Sequence, residues 1–449
     1  MSSAAQGKKI AVIGAGVSGI AAGYRLKQQG FNVTLLEKAN YIGGKAKSVR
    51  RDGYLLEEGA SVLPSKYTNL LGIVRELGLD SELQPGGSIV GFARGNEIHY
   101  MDSARLILDS IGTKLISFGS KMRMLGLALD NLRIASKINY EDITTAADWD
   151  VETAAAYCKR RANDEIFEYI VDSTLRGLLG TSGEKQSVVD FFFSFNNVIG
   201  SKLLSFKQGM GYFPNAVVER AGLNVKLGAT VQEVRETPKG ALVSWSDASG
   251  AHTDEVQGVV VAMPAYQASA LVPGLPKAAH DILRSIKYTT SVNISCGLKS
   301  PPPNNPAFVV QVPRSVHPDL FGIVLEHNKA PGRVPPGKGA ASLYTMSDWA
   351  EKLMDLDDKV VVDRILEAGD RVMPGLSKGV EFAHVSRWYP VIVYSVPGMY
   401  RRLRDLKPLL AQSQRIHFAG DYFSCSNLNT ATAGGERAAR ELGAFLKQA

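Results

Sequence analysis

The stretch VIGAGVSGIAAGYRLKQQGFNVTLLEKANYIGGKAKS, residues 12–48, constrains this chain more than any other. Gly14, Gly16 and Gly19 form G-x-G-x-x-G directly after the apolar run Ile10 to Ile13, which has the composition of a buried parallel strand. In such a turn the first glycine allows the tight bend, the second lets a pyrophosphate approach the backbone, and the third lets the next helix pack closely. Ser18 lies at the start of that helix, where free N–H groups and the helix dipole favour anions. Residues 20–29 have helical spacing and Gly30 stops them. A second strand from Asn32 to Leu36 then delivers Glu37, followed by Lys38, with Glu37 18 residues after Gly19. A carboxylate at that distance accepts both ribose hydroxyls of an adenosine and repels a 2′-phosphate. The chain therefore begins with a dinucleotide fold.

Composition sets the outer bounds. At 449 residues and 45% hydrophobic, the chain has length for two domains with their own cores. Cys158, Cys296 and Cys425 match no metal or redox spacing, so no metal site is expected and a reducing, cytoplasmic compartment is. The first nine residues lack the apolar core of a signal peptide, and no uninterrupted apolar stretch is long enough to span a membrane. The net charge of +7 is spread without long basic blocks, which argues against a nucleic-acid partner.

The residues after Glu37 favour FAD over NAD. Gly43, Gly44 and Lys45 bring further backbone and a cation toward a pyrophosphate. From Gly14 through Glu37 to Gly43-Gly44-Lys45-x-x-Ser48, the chain resembles the opening motif of the flavin amine oxidase and protoporphyrinogen oxidase-like superfamily. Tyr54 to Ala60 is similar to that family's acid-x-Gly-Ala segment, which places Gly59, Ala60 and the following Ser61 at the cofactor. Near the C-terminus, Phe418-Ala-Gly420-Asp421 and Thr430-Ala431-Thr-Ala-Gly434-Gly435 resemble the family's closing motif. The resemblance implies a discontinuous Rossmann-like (GR2-type) FAD-binding domain of the α/β class, spanning 1–75, 208–270 and 410–449. An α+β substrate domain with a mixed sheet and a helical lid would take 76–207 and 271–409, its helical part about 102–207. It also implies that Val231 contacts adenine and that the turn at Ala262 lies near the flavin. Tyr41 and Lys45 stand where the family carries pyrophosphate arginines, so the bidentate fork is lost.

The C-terminal motif can be read physically as well. Gly420 ends a buried strand and leaves Asp421 at the sheet edge, where it can accept a hydroxyl of the ribityl chain. A helix from about Ala431 to Leu446 would aim N–H groups at charge developing on the flavin. Gly434 and Gly435 are costly within a helix, which close approach to a ligand would explain.

Catalytic candidates are fewer. Flavin chemistry resides in the cofactor, and a hydride can pass without an acid–base dyad. Aligned on the family's strand, Asn293 takes the position of a lysine that holds a water in many amine oxidases. Trp388 and Tyr394 resemble the aromatics that flank the flavin, with Tyr389 an alternative. Asp190 to Phe195 is expected to add apolar bulk to the cavity.

Residues 104–137 carry six basic side chains against Asp109 and Asp130, with an apolar face that includes Leu106 and Ile107. They read either as a packed helical pair with solvated lysines or as a segment lying on a membrane surface.

The expected function is an FAD-dependent oxidase or dehydrogenase, with non-covalent FAD. It would remove a hydride from a C–N or C–C bond of a small lipophilic, cyclic substrate and pass the electrons to oxygen or another acceptor. A flavin-dependent isomerase and a non-catalytic FAD-binding protein are the alternatives. Peripheral membrane contact and a homodimer stay open.

Overall fold

A computed structural model describes residues 7–448, apart from the side chains of Leu106 and Ile107. The expectations resting on residues 1–6, on Ala449 and on those two side chains lie outside the described residues.

Five short strands form one parallel sheet in the order Asn224–Leu227, Asn32–Glu37, Lys9–Ile13, Gly258–Val261, Ile416–Phe418. Numbered along the chain this is 3-2-1-4-5, so the order reverses between Lys9–Ile13 and Gly258–Val261. In open α/β sheets a ligand binds at the carboxyl ends of the strands beside such a switch point. Alternate residues explain what covers the sheet. Ile10, Val12 and Val260 pack beneath the helices Val17–Gln28 and Leu428–Gln448. Ala11, Ile13, Val259 and Val261 face the three-stranded meander of Thr230–Thr237, Gly240–Asp247 and Gly250–Val256.

Gly434 and Gly435 lie inside the second of these helices, but a ligand is not what crowds them. A Cβ on Gly435 would stand 2.1 Å from the Ser18 carbonyl oxygen, and one on Gly434 2.9 Å from that of Gly420. Close helix–helix and helix–strand packing demands them. The helix also begins three residues earlier than expected, at Leu428.

A second, mixed sheet has seven strands, in the order Val380–Trp388, Ser291–Leu298, Gly339–Thr345, Leu320–Leu325, Val309–Gln311, Ile89–Arg94, Glu97–Asp102. Its one parallel pairing joins Val309–Gln311 to Ile89–Arg94. Val292, Ile294, Ile323 and Leu343 pack against the helix Asp358–Val372. The alternate positions, Asn293, Ser295, Ser342 and Tyr344, give the other face a polar character.

A helical section follows Glu97–Asp102 along the chain. Phe191, Phe192 and Phe193 on the helix Val188–Val198 are fully buried; Phe192 packs against Trp149 and Tyr157, and Phe193 against Tyr140. The expected cavity lining is therefore core. Its rings meet edge-to-face, at centroid separations of 5.4–5.9 Å.

Candidate functional site

The loop after the first strand is held by contacts that only glycine permits. Gly14 has φ +96°, and a Cβ on it would stand 2.6 Å from the carbonyl oxygen of Ala262, the residue after the fourth sheet strand. A Cβ on Gly19 would stand 1.9 Å from the Gly14 carbonyl oxygen. Gly16 is different, because a Cβ there meets nothing within 4 Å. Packing does not require that glycine, whereas a ligand approaching the backbone would. Beside it, Gly16 bridges to Gly43, whose N–H donates to the Ala15 carbonyl at 2.9 Å, and Gly44 lies against Gly16. Ser18 Oγ is buried here without a hydrogen-bond partner. An orphaned donor at a helix N-terminus is costly unless something fills the site, and a phosphate oxygen would satisfy it. The residues therefore fit a dinucleotide.

Glu37 ends the second strand. Its carboxylate accepts from the Ala15 N–H at 2.7 Å and the Ala39 N–H at 2.8 Å, while its own carbonyl accepts from Ala229 at 2.8 Å. Glu37 thus pins the glycine loop and brings Val231, two residues after Ala229, to the same corner. Lys38 beside it is exposed.

The second glycine segment carries the site toward the other sheet. Ala60 N–H donates to the Lys45 carbonyl at 2.9 Å, and a Cβ on Gly59 would stand 2.1 Å from that oxygen. Lys45 Nζ donates to the Val391 carbonyl and lies 3.7 Å from Asp421 Oδ2. Asp421 also accepts from Ser426 Oγ. At the start of the final helix, Thr430 N–H is capped by Asn427 Oδ1 at 2.8 Å, and Ala431 N–H bonds the Asn427 carbonyl at 3.0 Å. Those two N–H groups are satisfied within the protein.

Trp388 joins this assembly through its indole N–H, which donates to the Glu58 carbonyl at 2.7 Å. Burial alone would raise the Glu58 carboxyl, but hydrogen bonds from Lys47 at 2.6 Å and His384 at 2.8 Å outweigh it and hold the group below its ordinary value. Lys47 also lies over the Tyr41 ring. Asn293 sits mid-strand, in register between Tyr344 and Ser386. Its amide donates to Ser291 Oγ at 2.6 Å and accepts from Thr345 N–H at 3.3 Å. Tyr394 has Lys185, Asp348 and Glu351 as charged neighbours, a set separate from that beside Trp388. The structure thus joins Gly14, Gly16, Ala262, Gly44, Lys45, Gly59, Ala60, Asp421 and Trp388 in one chain of contacts. Tyr394 pairs with Lys287 next to Tyr288, whose hydroxyl accepts from the Ala265 N–H, and Asn293 stands on the adjoining sheet.

Two groups of buried charged contacts have no counterpart in the sequence expectations, which took Asp190 only as part of an apolar segment. Arg333 pairs with Glu326 at 2.6 Å and Glu57 at 2.9 Å, all three fully buried. Lys329 Nζ reaches Ser61 Oγ at 3.0 Å and Glu326 at 3.4 Å. Burial pulls the Lys329 ammonium below its ordinary pKa, against the pull of Glu326. Glu326 and Lys329 lie on the short helix Glu326–Lys329, but Arg333 follows it beyond Pro331 and Gly332, so no sequence periodicity announced the cluster. The second group is Asp190, whose carboxylate accepts from the Tyr400 hydroxyl and, at 3.3 Å, from the Ser395 N–H. Complete burial pushes its pKa up to about 7. Cys425 lies beside it, and burial holds that thiol well above its ordinary value.

Comparison with known proteins gives a consistent result. A family model described as flavin containing amine oxidoreductase matches residues 17–443. Coproporphyrinogen III oxidase from Bacillus subtilis is 23% identical over 90% of this chain and 91% of its own. The enzyme of the same name from Staphylococcus aureus is 23% identical over 98% of this chain and 100% of its own. Among solved structures, cyclohexylamine oxidase from Brevibacterium oxydans superimposes with a TM-score of 0.75, covering 98% of this chain and 99% of that one at 16% identity.

Proposed function

Since the chain belongs to the flavin-containing amine oxidoreductase family, we propose that it removes a hydride from a lipophilic, cyclic substrate, with FAD held non-covalently. The segments 1–75, 208–270 and 410–449 would hold the cofactor and the remainder the substrate. Of the two bond types, carbon–carbon desaturation is favoured over amine oxidation. The observation that carries this choice is likeness to coproporphyrinogen III oxidases over nearly the whole chain.

The bound flavin supplies the hydride acceptor. The protein supplies the rest. Ser18 Oγ and the open approach at Gly16 receive the pyrophosphate, and Glu37 accepts the ribose hydroxyls while keeping the glycine loop in place. Asp421 accepts a ribityl hydroxyl, and Lys45, 3.7 Å away, offsets negative charge along the cofactor. The Trp388 ring is fixed by its bond to Glu58 and can wall an apolar ring. Asn293, flanked by Tyr344 and Ser386, offers neutral hydrogen-bonding groups with no cation in that row.

Turnover of the flavin-loaded protein with a porphyrinogen and with a cyclic amine tests the proposal. Oxidised product and stoichiometric consumption of an acceptor are expected. An isomer formed without acceptor consumption would replace the oxidoreductase reading with an isomerase. Burial of the Cys425 thiol, held well above its ordinary value, supports non-covalent attachment. Acid precipitation should release all the flavin, and a yellow pellet would contradict it.

A further inference from the structure

Across five strands of the mixed sheet, Ser386, Asn293, Tyr344, Gly322 and Gln311 stand in register. Directly paired residues share a face, so this row belongs to the polar side. Gly322 is the odd member. It is buried, its φ is not positive, and a Cβ on it would meet one atom only, the Val310 carbonyl oxygen at 3.6 Å. Neither backbone conformation nor packing demands a glycine there. A strand glycine with open space above it marks close approach by a ligand.

Two unpaired polar atoms flank that space. The Tyr344 hydroxyl and Gln311 Oε1 are each buried without a hydrogen-bond partner, which is costly unless a ligand supplies one. The two backbones lie two strand spacings apart, about 10 Å, with Gly322 between them. A bulge between Leu320 and Gly322 turns Phe321 to the same side, and its ring stacks on Tyr344 at 5.8 Å and 25°. At the other end, the Gln311 amide rests on the helix Ser173–Leu179, where a Cβ on Gly177 would stand 2.2 Å from Oε1. Gly177 thus makes room for the amide. Ser61, which follows the cofactor segment Gly59-Ala60, stands near the Tyr344 hydroxyl, but its Oγ is engaged by Lys329 Nζ at 3.0 Å.

Charge narrows the ligand. The charged groups nearest Tyr344 are Glu326, Glu57 and Arg333, which pair among themselves and with Lys329. Arg176, beside Gly177, donates to the backbone carbonyls of His317, Pro318 and Leu320. The row itself carries neither cation nor anion. An anionic group would find no free cation there, and an ammonium no free carboxylate. Both unpaired oxygens accept hydrogen bonds, so the fitting partner is an uncharged N–H donor on a ring, with Phe321 alongside.

We propose that Gln311 and Tyr344 are specificity-determining residues that accept hydrogen bonds from neutral ring N–H groups of the substrate, seated above Gly322. This deepens, and rests on, the reading of a lipophilic, cyclic substrate. The test mixes the flavin-loaded protein anaerobically with a porphyrinogen and with its N-methylated counterpart. The concentration dependence of flavin reduction gives Kd and the limiting rate separately. A flavin that is not reduced would defeat the proposed reaction, and perturbation of its absorbance band would still yield Kd. The wild type should bind the porphyrinogen about tenfold more tightly than the N-methylated probe, the scale of one hydrogen bond. Gln311→Leu should erase that preference by weakening porphyrinogen binding about tenfold, with the limiting rate altered less. Tyr344→Phe, which keeps the ring on Phe321, should weaken binding similarly. Gly322→Ala has room for its methyl group and should keep flavin and fold, whereas Gly322→Leu should abolish binding with the flavin retained. Equal wild-type affinity for the two probes, or unaltered affinity in Gln311→Leu and Tyr344→Phe alike, would overturn the proposal.

Discussion

Single residues decide how the cofactor is held. Glu37 engages two backbone N–H groups at 2.7 and 2.8 Å, so its carboxylate shapes the glycine loop, and the proposal gives it the ribose hydroxyls as well. Glu37→Ala should weaken FAD binding by about 1–3 kcal/mol, the cost of leaving buried hydrogen-bonding groups unpaired. Substrate preference should not change. Titrating apoprotein with FAD measures this, and equal affinity would remove Glu37 from the site. Asn293 bears on a different step. Its amide is neutral and bonded to Ser291 and Thr345, and it cannot offer the charge that steadies superoxide beside a reduced flavin. Asn293→Lys should speed reoxidation by oxygen about tenfold, as one gained interaction of ~1.4 kcal/mol does, and alter the reductive half-reaction less. Stopped-flow measurement of both half-reactions decides it. Fast wild-type reoxidation unaffected by the substitution would refute the role.

At the scale of elements, the packing of two helices is as tightly specified as the loop between them and the cofactor. Gly435 permits the final helix to lie against Val17–Gln28, whose N-terminus carries Ser18. A methyl group 2.1 Å from a backbone oxygen cannot be absorbed by a rotamer change. Gly435→Ala should therefore destabilise the protein by about 1–3 kcal/mol, as overpacking does, despite the better helix propensity of alanine. Thermal unfolding reads this directly. A rise in Tm would mean that the helices part more easily than the geometry implies. The two glycines were visible in the sequence, but the reason for them was not. A costly residue inside a helix signals close approach without naming the neighbour. Val17–Gln28 and Asn32–Glu37 were legible because strand, glycines, helix and acid form one local pattern. The phenylalanines at 191–193 were legible only as apolar bulk, and the core claimed them through contacts with Trp149, Tyr157 and Tyr140.

Across the whole molecule, the same division between local and distant information appears. The five-stranded parallel sheet draws on residues from 9 to 418, and motifs at both ends of the chain announced it. The pairing of Arg333 with Glu57 joins positions far apart in sequence, and no periodicity connects them. Similarly, apolar spacing over 104–137 showed that an amphipathic helix would form but not which face would be left outside. Legibility thus follows distance along the chain. What joins these scales is a dinucleotide cradle set against a mixed sheet whose polar face carries Asn293. The most direct test is to mix the flavin-loaded protein with a porphyrinogen under anaerobic conditions and follow the flavin absorbance in a single turnover. The account predicts that the oxidised flavin band bleaches as substrate is oxidised, and that it returns when an acceptor is admitted. A flavin that stays oxidised with the porphyrinogen and with cyclic amines alike would contradict it.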